Sequence, residues 1–436
     1  MLQSKGRLVL NQTPRKLLEQ LKGKTVVVWG ARMTGMGFSR FLASNGHSGV
    51  TAFVDSDPAL QDKQVNGISV VSPQSLPVLR EQYPSLMIVI AVALKEQEII
   101  QMLGDMNFGS DEYKAYSNYC TDFYTIDVVG TCNLKCPSCA HGSEGMESPR
   151  GLMPFDNFKK VVDKAISETG IVSHISLFSW GEPLLHPKLG RMVDYLHQNG
   201  VAAAVSSNLS IKEDKLLRKL IQSSPEYLKV SLSGYYPDAY NQTHTGGDIN
   251  LVKSNLYRLR YLIDKYQVTT LVDVNYHLYT NNCGKNLRKM KALCDELGFL
   301  FSTIYSLVMS IERLISHCKG VENSQLDRLR SLLLVDIDEG IGASSKVEIN
   351  GCPFRDNQIN INWDLTVPVC CIVFNRNPDI MVANNYLKTS MTKIDAAKRE
   401  VKLCGQCMAF GLPAYNMGFN RDRWAEIAGT KEIVDS

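Results

Sequence analysis

The feature that most constrains this fold is a regular alternation of short apolar segments with amphipathic helical segments between Tyr124 and Tyr305. Six apolar segments have the length of β-strands, and stretches such as FDNFKKVVDKAISETG separate them. This alternation favours a parallel sheet, because each helical crossover returns the chain to the same end of the sheet. We predict an α/β fold with a central partial (β/α)6 barrel, whose functional residues follow the carboxyl ends of its strands. The predicted strands are YTIDVV, HISLF, VAAAVSS, YLKVSL, TLVDVNYHL and FLFSTIY.

The composition is that of a multidomain globular protein without a nucleic-acid or membrane partner. The chain has 436 residues, 44% of them hydrophobic and 21% charged, and its formal net charge is only +3. The sequence shows no basic block, no cleavable apolar leader and no run of about 18 apolar residues. We therefore expect a cytoplasmic protein that acts on a small molecule and binds neither nucleic acid nor membrane.

A glycine turn between two predicted strands marks the N-terminal region. The strand KTVVVWG ends at Gly30, Gly35 and Gly37 open a helical pattern, and the strand VTAFVD ends at Asp55. This order is that of half a dinucleotide-binding fold, although the spacing is GxxxxGxG instead of GxGxxG. With the later strand LMIVIAVA and the stretch VDSDP, it resembles the small Rossmann-like domains attached to enzymes of cell-surface sugar biosynthesis. Two interpretations stay open: nucleotide binding, or glycines that only permit a tight turn beside an Asp55 cap.

The loop after the first barrel strand, VVGTCNLKCPSCAHG, carries three closely spaced cysteines. The thiolates of Cys132, Cys136 and Cys139 can bind three corners of a cubane [4Fe-4S] cluster, which leaves one iron for an external ligand. The chain has twelve cysteines and is expected in a reducing compartment, so metal ligation is favoured over disulfides. The alternative is a zinc site, which would need a fourth ligand such as His141.

The cysteine loop and the turns after the next strands resemble the radical SAM superfamily over roughly residues 120 to 310. The motif SWGEP follows the second strand, SSN ends the third, and VSLSG ends the fourth. The resemblance implies that S-adenosylmethionine (SAM) binds the open iron and is held by residues of these three motifs. Those residues are Gly181, Glu182, Ser206, Asn208, Ser231 and Ser233.

The same resemblance implies the chemistry. In that superfamily an electron from the cluster cleaves SAM, and the resulting 5′-deoxyadenosyl radical abstracts a hydrogen from the substrate. An electron donor such as flavodoxin or ferredoxin is therefore an implied partner. Two residues depart from the family pattern, since Trp180 replaces a glycine and Ser138 replaces an aromatic residue that packs on adenine. We expect other groups, such as the backbone around Ala140, to hold the adenine here.

Four further cysteines near the C-terminus predict a second metal site. Cys352 precedes the segment QININW and Cys370 lies within VPVCCIV, both predicted as short strands, and the other two lie in a predicted CGQC turn. A hairpin and a turn can together close a complete site for an auxiliary [4Fe-4S] cluster or for zinc. The layout resembles the twitch domain, a shortened SPASM domain, although Leu365 stands where that family often has glycine and Cys371 is a second candidate beside Cys370. The four ligands are Cys352, Cys370, Cys404 and Cys407.

These observations predict three domains and a radical SAM oxidoreductase or epimerase. The boundaries are residues 1–115 for the Rossmann-like domain, 116–335 for the barrel and 336–436 for the twitch-like domain. The first hypothesis is hydrogen abstraction from a sugar, a polyol or a nucleotide-linked small molecule, leading to dehydrogenation or epimerisation. The alternative is a maturase that modifies a peptide or protein, and a third possibility is a non-enzymatic redox scaffold.

Several residues near the fifth strand are candidates for the chemistry that follows hydrogen abstraction. Epimerisation needs a hydrogen donor, and Cys283 in the loop YTNNCGKN is the best-placed thiol. His277 and Tyr279 are candidates for a base or a substrate contact, with packing as the other interpretation. Inert packing is also the alternative for Cys283, while Cys294 lies on an amphipathic pattern that indicates a core position.

Overall fold

Two large β-sheets and the helices around them make up the computed structural model, which describes residues 13–120, 122–347 and 351–431. The strands are β1 Thr25–Trp29, β2 Val50–Val54, β3 Gln64–Val65, β4 Ile68–Val71, β5 Leu86–Ile90, β6 Tyr113–Ala115, β7 Phe123–Asp127, β8 His174–Ser176, β9 Ala202–Ser207, β10 Tyr227–Leu232, β11 Leu271–Leu278, β12 Leu300–Tyr305, β13 Gln358–Asn362, β14 Val367–Pro368 and β15 Met381–Ala383.

The α-helices lie mainly in the crossovers between strands and in the C-terminal part. They are α1 Thr13–Leu21, α2 Met33–Ser44, α3 Leu76–Gln82, α4 Glu96–Asp105, α5 Phe155–Thr169, α6 Leu189–Gln198, α7 Asp214–Gln222, α8 Pro237–Thr243, α9 Ile249–Tyr266, α10 Lys285–Leu297, α11 Ile311–Cys318, α12 Ser324–Arg330, α13 Ile337–Ser344, α14 Pro353–Asp356, α15 Met391–Glu400, α16 Lys402–Ala409, α17 Leu412–Met417 and α18 Arg421–Gly429. Within the described ranges, none of these helices has the length and apolarity needed to cross a bilayer.

The first sheet is built from the N-terminal strands in the order β3-β4-β2-β1-β5-β6. All neighbours are parallel except β3 and β4, which form a short antiparallel pair. The three strands predicted here are present as β1, β2 and β5. The chain leaves β1 toward β2 on one side and reaches β5 on the other, so a crevice opens at the carboxyl ends of β1 and β5.

The second sheet contains the six predicted barrel strands, and the α/β fold with a partial barrel is confirmed. Its order is β12-β11-β10-β9-β8-β7-β13, and every neighbouring pair is parallel. Apolar residues of the helices and of the outward faces of the strands form one continuous core around it. Because all strands run the same way, the loops that carry the predicted motifs meet at one end of the sheet.

The C-terminal segment differs from its prediction in two ways. QININW does not form a ladder with VPVCCIV, because β13 pairs in parallel with β7 and becomes the seventh strand of the barrel sheet, with Asn362 beside Asp127. Only Val367–Pro368 of the second segment is a strand, and it pairs with β15. The CGQC segment lies in helix α16 instead of a turn. A helix still suits the CxxC spacing, since side chains three residues apart share one face.

The N-terminal sheet packs against the barrel through helix α2. A Cβ atom at Gly37 would overlap the backbone carbonyl of Ser173, just before β8, so glycine allows this close approach. Phe38 and Leu42 of α2 share a buried cluster with Ala204 and Tyr227 of the barrel. The structure thus gives Gly37 a packing role between the two sheets. The domain boundaries at residues 115 and 335 stay predictions. Strand β13, which lies in the last predicted domain, belongs to the barrel sheet.

Candidate functional site

A cavity of about 330 Å³ opens at the carboxyl ends of the barrel strands. It brings together residues that the sequence analysis selected from four separate loops and strand ends. All three cysteines of the CxxxCxxC loop and five of the six predicted SAM-binding residues line it. They are Cys132, Cys136, Cys139, Gly181, Glu182, Ser206, Asn208 and Ser231.

The cysteine loop is held against the barrel by backbone hydrogen bonds. The Lys135 N–H donates to the Thr245 carbonyl at 2.8 Å, and the Met309 N–H donates to the Ser138 carbonyl at 2.8 Å. The buried Arg313 guanidinium donates to the carbonyls of Pro137 at 3.1 Å and Met309 at 2.7 Å. These bonds fix the loop from both sides and hold the three thiols at the cavity.

The three thiols lie near enough to influence one another. Burial, together with the nearby Glu182 and Cys139, raises the pKa of Cys132 to about 12. Burial also raises the pKa of Cys136, with Cys139 and Cys132 adding to the effect. The Cys132 sulfur accepts hydrogen bonds from the Leu134 N–H at 3.4 Å and from the Asn208 amide at 3.7 Å. Three mutually close thiols, one of them with two N–H donors, are a donor set that fits an iron–sulfur cluster.

The zinc alternative requires a site for a single metal ion. Within residues 13–120, 122–347 and 351–431, no three His, Cys, Asp or Glu side chains are arranged to hold one metal ion. His141, the fourth ligand of the zinc alternative, does not line the cavity. Its ring packs edge-on against Phe374, with 5.0 Å between ring centroids.

The GEP turn fits tightly against the cysteine loop. A Cβ atom at Gly181 would overlap the Val129 carbonyl oxygen, so only glycine fits there. The Glu182 N–H donates to the Thr131 carbonyl at 2.9 Å. The buried carboxylate of Asp127, the last residue of β7, accepts hydrogen bonds from the N–H groups of Trp180 at 3.4 Å and Gly181 at 3.3 Å. Burial raises the pKa of Asp127 to about 7.

The Glu182 side chain connects two SAM-binding motifs. Its carboxylate accepts from the Leu184 N–H at 3.0 Å and from the Asn208 N–H at 2.8 Å. Burial raises the pKa of Glu182 to about 7, while these hydrogen bonds act in the opposite direction. The Asn208 side chain in turn donates to Asn133 at 2.9 Å, beside Cys132. Glu182 and Asn208 therefore hold the shape of the cavity wall as well as lining it.

Ser233 lies outside the cavity, unlike the other predicted SAM-binding residues. Strand β10 ends at Leu232, so the alternation that points Ser231 inward does not continue to Ser233. The Ser233 hydroxyl is fully buried and pairs with Thr243 and with the His244 Nδ1 at 2.8 Å. Ser233 thus belongs to a buried hydrogen-bond network behind the cavity wall.

Cys283 also lies outside the cavity lining. Its thiol donates to the Tyr279 carbonyl, with a sulfur–oxygen distance of 2.9 Å, and burial raises its pKa to about 11. The Tyr279 hydroxyl donates to Ser138 at 3.2 Å, which joins this loop to the cysteine loop. Cys294 is fully buried in helix α10, as its amphipathic pattern indicated. His277, in contrast, lines the cavity.

Two charged residues of the barrel interior were missed by the sequence analysis. Lys229 of β10 and Asp273 of β11 are direct neighbours in the sheet, one layer below Ser231. Asp273 Oδ2 accepts from Arg32 and from the Tyr227 hydroxyl, both at 2.7 Å. The sequence signal that could have found Lys229 is the alternation of side chains along β10, which places Lys229 on the same face of the sheet as Ser231.

Both charged residues keep hydrogen-bonding capacity within the described part of the chain. Asp273 Oδ1 is buried and has no partner there. The half-buried Lys229 ammonium lies 5.1 Å from the centre of the Phe178 ring, and no described residue forms a hydrogen bond or ion pair with it. Burial lowers the pKa of Lys229, and Asp273 opposes this shift. Phe178 and Ser231 line the cavity, and Lys229 and Asp273 lie one layer below Ser231, behind the lining.

The C-terminal cysteines are gathered around Cys352. This thiol raises the pKa of Cys370, Cys404 and Cys407, although burial is the larger cause in each case. Burial likewise raises the pKa of Cys371 to about 12, while a hydrogen bond with the Gln358 side chain lowers it. The structure therefore brings the four predicted ligands together, with the fifth thiol beside them.

The fold and the cavity together define a radical SAM domain. Residues 126–277 match the radical SAM superfamily, so the chain carries a domain of that superfamily. Radical SAM enzymes use a [4Fe-4S] cluster and S-adenosylmethionine.

The similar proteins differ in activity. A probable GTP 3′,8-cyclase of Methanococcus maripaludis is 27% identical over 191 residues, which are 43% of this chain and 60% of the cyclase. A tungsten-containing aldehyde ferredoxin oxidoreductase cofactor-modifying protein of Pyrococcus furiosus is 27% identical over 121 residues, or 28% of this chain and 33% of that protein. Streptococcus suis SuiB bound to S-adenosylmethionine has 12% identity and a TM-score of 0.44 over 68% of each chain. The chain thus spans less than two thirds of these curated relatives.

Proposed function

We propose that this protein is a radical SAM enzyme that abstracts hydrogen from a hydroxylated small molecule, namely a sugar, a polyol or a nucleotide-linked sugar. The observation that carries the proposal is a pair of charged residues in the barrel interior, one layer below the cavity-lining Ser231. Lys229 and Asp273 offer a donor and an acceptor without hydrogen-bond partners of their own among the described residues, next to a space lined by the cysteines. A ligand rich in hydroxyl groups satisfies both, because each hydroxyl can donate and accept.

The thiols of Cys132, Cys136 and Cys139 would hold the cluster, and Gly181, Ser206, Asn208 and Ser231 would hold SAM. When bound, this pair supplies a carbon-centred radical that removes a hydrogen atom from a C–H bond of the substrate. A partner of the flavodoxin or ferredoxin class would deliver the electron that this chemistry consumes. The cysteines around Cys352 would hold an auxiliary [4Fe-4S] cluster.

His277 is suited to relay a proton from the substrate to water, because a neutral imidazole accepts at one ring nitrogen and donates from the other. Burial lowers its pKa to about 3, and His244 and Lys229 lower it as well, so the imidazole is neutral near pH 7. Its position in the lining brings it to the same space as the cysteines. Apolar side chains of Ile304, Leu307 and Met309 cover part of the same wall and limit the access of water to the reacting atoms.

This arrangement supports dehydrogenation over epimerisation. Oxidation of a secondary alcohol removes one hydrogen atom from carbon, one proton from oxygen and one further electron. His277 can take the proton, and a one-electron acceptor of the ferredoxin or flavodoxin class would take the electron. Epimerisation instead requires a hydrogen donor at the cavity, and Cys283 is bonded to the Tyr279 carbonyl outside the lining.

The test measures 5′-deoxyadenosine formed by anaerobically reconstituted protein with SAM and dithionite. We expect a panel of free and nucleotide-linked sugars and polyols to contain at least one compound that increases the product about tenfold over the substrate-free level. Lys229→Met should abolish that increase and leave SAM binding unchanged. The matched control Lys215→Met removes an exposed lysine of α7 and should behave like wild type. Stimulation by peptides alone would instead favour the maturase alternative.

A second measurement separates the two reaction outcomes. In deuterated buffer, dehydrogenation gives a product without solvent deuterium at the reacting carbon, whereas epimerisation incorporates it. Solvent deuterium that disappears in Cys283→Ala, with hydrogen abstraction intact, would contradict the assignment to dehydrogenation.

A further inference from the structure

A second and larger cavity, of about 650 Å³, lies where the N-terminal sheet meets the barrel and the C-terminal segment. Its N-terminal wall is the crevice at the carboxyl ends of β1, β2 and β5, reached at Gly30, Asp55 and Ala91. Its opposite wall comes from the first residues of the barrel strands, such as Phe123 and His174. The linings of the two cavities have no residue in common, so this space is separate from the cysteine site.

One end of this second cavity is suited to an anion. The first turn of helix α2, residues 33–35, lines it, and the first hydrogen bond within the helix runs from the Met36 N–H to the Arg32 carbonyl. The three preceding amides are therefore free of helical partners and carry the positive end of the helix dipole. A Cβ atom at Gly35 would overlap the Gly30 carbonyl, so glycine keeps this turn close to the strand end. The Arg32 guanidinium lies at the same wall, where it pairs with Asp57 and Asp273 at 2.7 Å each.

Two buried polar side chains on the barrel side have unused hydrogen-bonding capacity. Ser176 is 8% exposed, lines the cavity, and its hydroxyl has no partner among the described residues. His174 is 6% exposed and uses its Nδ1 with Ser173 at 3.1 Å, which leaves Nε2 without a partner in the described ranges. Burial lowers the pKa of His174 to about 4, so the ring is neutral and Nε2 can donate or accept according to its tautomer. Buried polar groups without partners usually indicate a missing ligand or water.

The remaining wall combines aromatic and amide groups. Phe123 and Phe354 are half-buried and line the cavity from the barrel and from the C-terminal segment. Asn357 and Gln358 stand beside them, and the Gln358 amide also donates to the Thr125 hydroxyl at 2.8 Å. Aromatic rings stack on flat heterocycles, and amide side chains pair with the edges of such rings. An anion site at one end and an aromatic, amide-lined wall at the other match the two parts of a nucleotide.

We propose that this second cavity binds a nucleoside phosphate. The phosphate lies on the first turn of α2 near Arg32, and the base lies between the aromatic side chains and the amides. Ser176 and His174 bind the ribose or the edge of the base. The proposal does not depend on the reaction assigned to the cysteine site. Because Arg32 also donates to Asp273 of β11, the wall of the second cavity is linked to the barrel interior.

The test is calorimetric titration of the full reconstituted chain, without SAM, with uridine, cytidine and guanosine 5′-monophosphates and with inorganic phosphate. Adenosine nucleotides are omitted because the SAM cavity would bind adenosine. We expect at least one nucleotide to bind about tenfold more tightly than phosphate alone. Thr34→Glu places a carboxylate in the first turn of α2, which favours the helix but repels phosphate, and should weaken nucleotide binding about tenfold or more.

The control and a second variant make the result decisive. Gln97→Glu adds the same charge at the corresponding exposed position of α4 and should bind nucleotide like wild type. Phe354→Ala should weaken nucleotide binding and leave phosphate binding unchanged. Absence of binding by all three nucleotides at millimolar concentration would overturn the proposal. Equal affinity for nucleotide and phosphate, or equal loss in both glutamate variants, would overturn it too.

Discussion

The indole Nε1 of Trp180 donates a hydrogen bond of 2.9 Å to the backbone carbonyl of Val373. Trp180 belongs to the GEP turn at the SAM cavity, and Val373 follows Cys370 and Cys371 by a few residues. The same indole packs edge-on against Phe374, with ring centroids 5.1 Å apart. A residue that departs from the family pattern therefore joins the proposed SAM site to the segment of the second cysteine group.

Trp180→Phe should loosen this junction. It removes the donor and leaves a carbonyl without its partner, so we expect the free energy of unfolding to fall by about 1–2 kcal/mol. Urea unfolding gives that value, and hydrogen exchange over residues 370–376 should become faster. Trp363→Phe is the control, because it removes a similar hydrogen bond, from the Trp363 indole to the Pro149 carbonyl, that does not involve residues 370–376. Identical exchange patterns in the two variants would argue against a specific junction.

Gly181→Ala should abolish SAM binding. The added methyl group has no space beside the Val129 carbonyl, so the GEP turn must move away from the cysteine loop. We expect SAM affinity to fall at least tenfold, as measured by equilibrium dialysis with the reconstituted protein. Gly104→Ala in helix α4 has nothing within 4 Å of its added carbon and should bind SAM normally. Normal affinity in Gly181→Ala would show that the turn does not position SAM.

The auxiliary site gives a prediction about two neighbouring thiols. The pKa of Cys370 responds to both Cys352 and Cys404, whereas Cys371 responds to Cys352 and bonds Gln358. We therefore expect Cys370→Ser to lower the iron content from about eight to about four per chain, and Cys371→Ser to leave it unchanged. Cys294→Ser, a core substitution far from both groups, controls for general loss of cluster. The reverse pattern would make Cys371 the ligand.

Asp127 makes stability depend on pH. Burial raises its pKa to about 7, against an ordinary value of 3.8, so the folded protein keeps a proton that the unfolded chain has lost. Between these two values stability falls as pH rises, by about 2–3 kcal/mol from pH 5 to pH 8. Asp127→Asn should remove this component, so the difference between wild type and variant in unfolding free energy should change by that amount across the range. A constant difference at all pH values would contradict the raised pKa.

The barrel was predictable because its signals are local. Each strand ends in a motif whose spacing shows in the sequence, and parallel strands bring their carboxyl ends together, so Cys132, Gly181 and Asn208 were placed at one site without a structure. The pairing of β13 with β7 was not predictable, since nothing in either segment encodes a partner so distant in the chain. The CGQC helix was missed because a CxxC spacing suits both a turn and a helical face.

The roles of glycines in a motif and of isolated charged residues were harder to predict from the sequence. Gly35 and Gly37 fit a nucleotide-binding pattern, and the structure gives each a packing role that the pattern does not indicate: Gly35 lies against the Gly30 carbonyl and Gly37 against the Ser173 carbonyl beside the other sheet. The Asp55 carboxylate accepts from the Ala31 and Asp57 amides at 2.9 Å, as the cap interpretation expected. Lys229 belongs to no motif, and only the three-dimensional structure shows that it stands beside Asp273 in the barrel interior.

The pairing of β13 with β7 also determines when the barrel sheet is completed during synthesis. Until residues 358–362 leave the ribosome and pair with β7, strand β7 presents a free row of N–H and C=O groups at one edge of the barrel sheet. A nascent chain that ends before residue 358 therefore exposes an edge onto which another chain can add. Covering of the β7 edge is thus a late step of synthesis, and association with other chains at this edge competes with it until then.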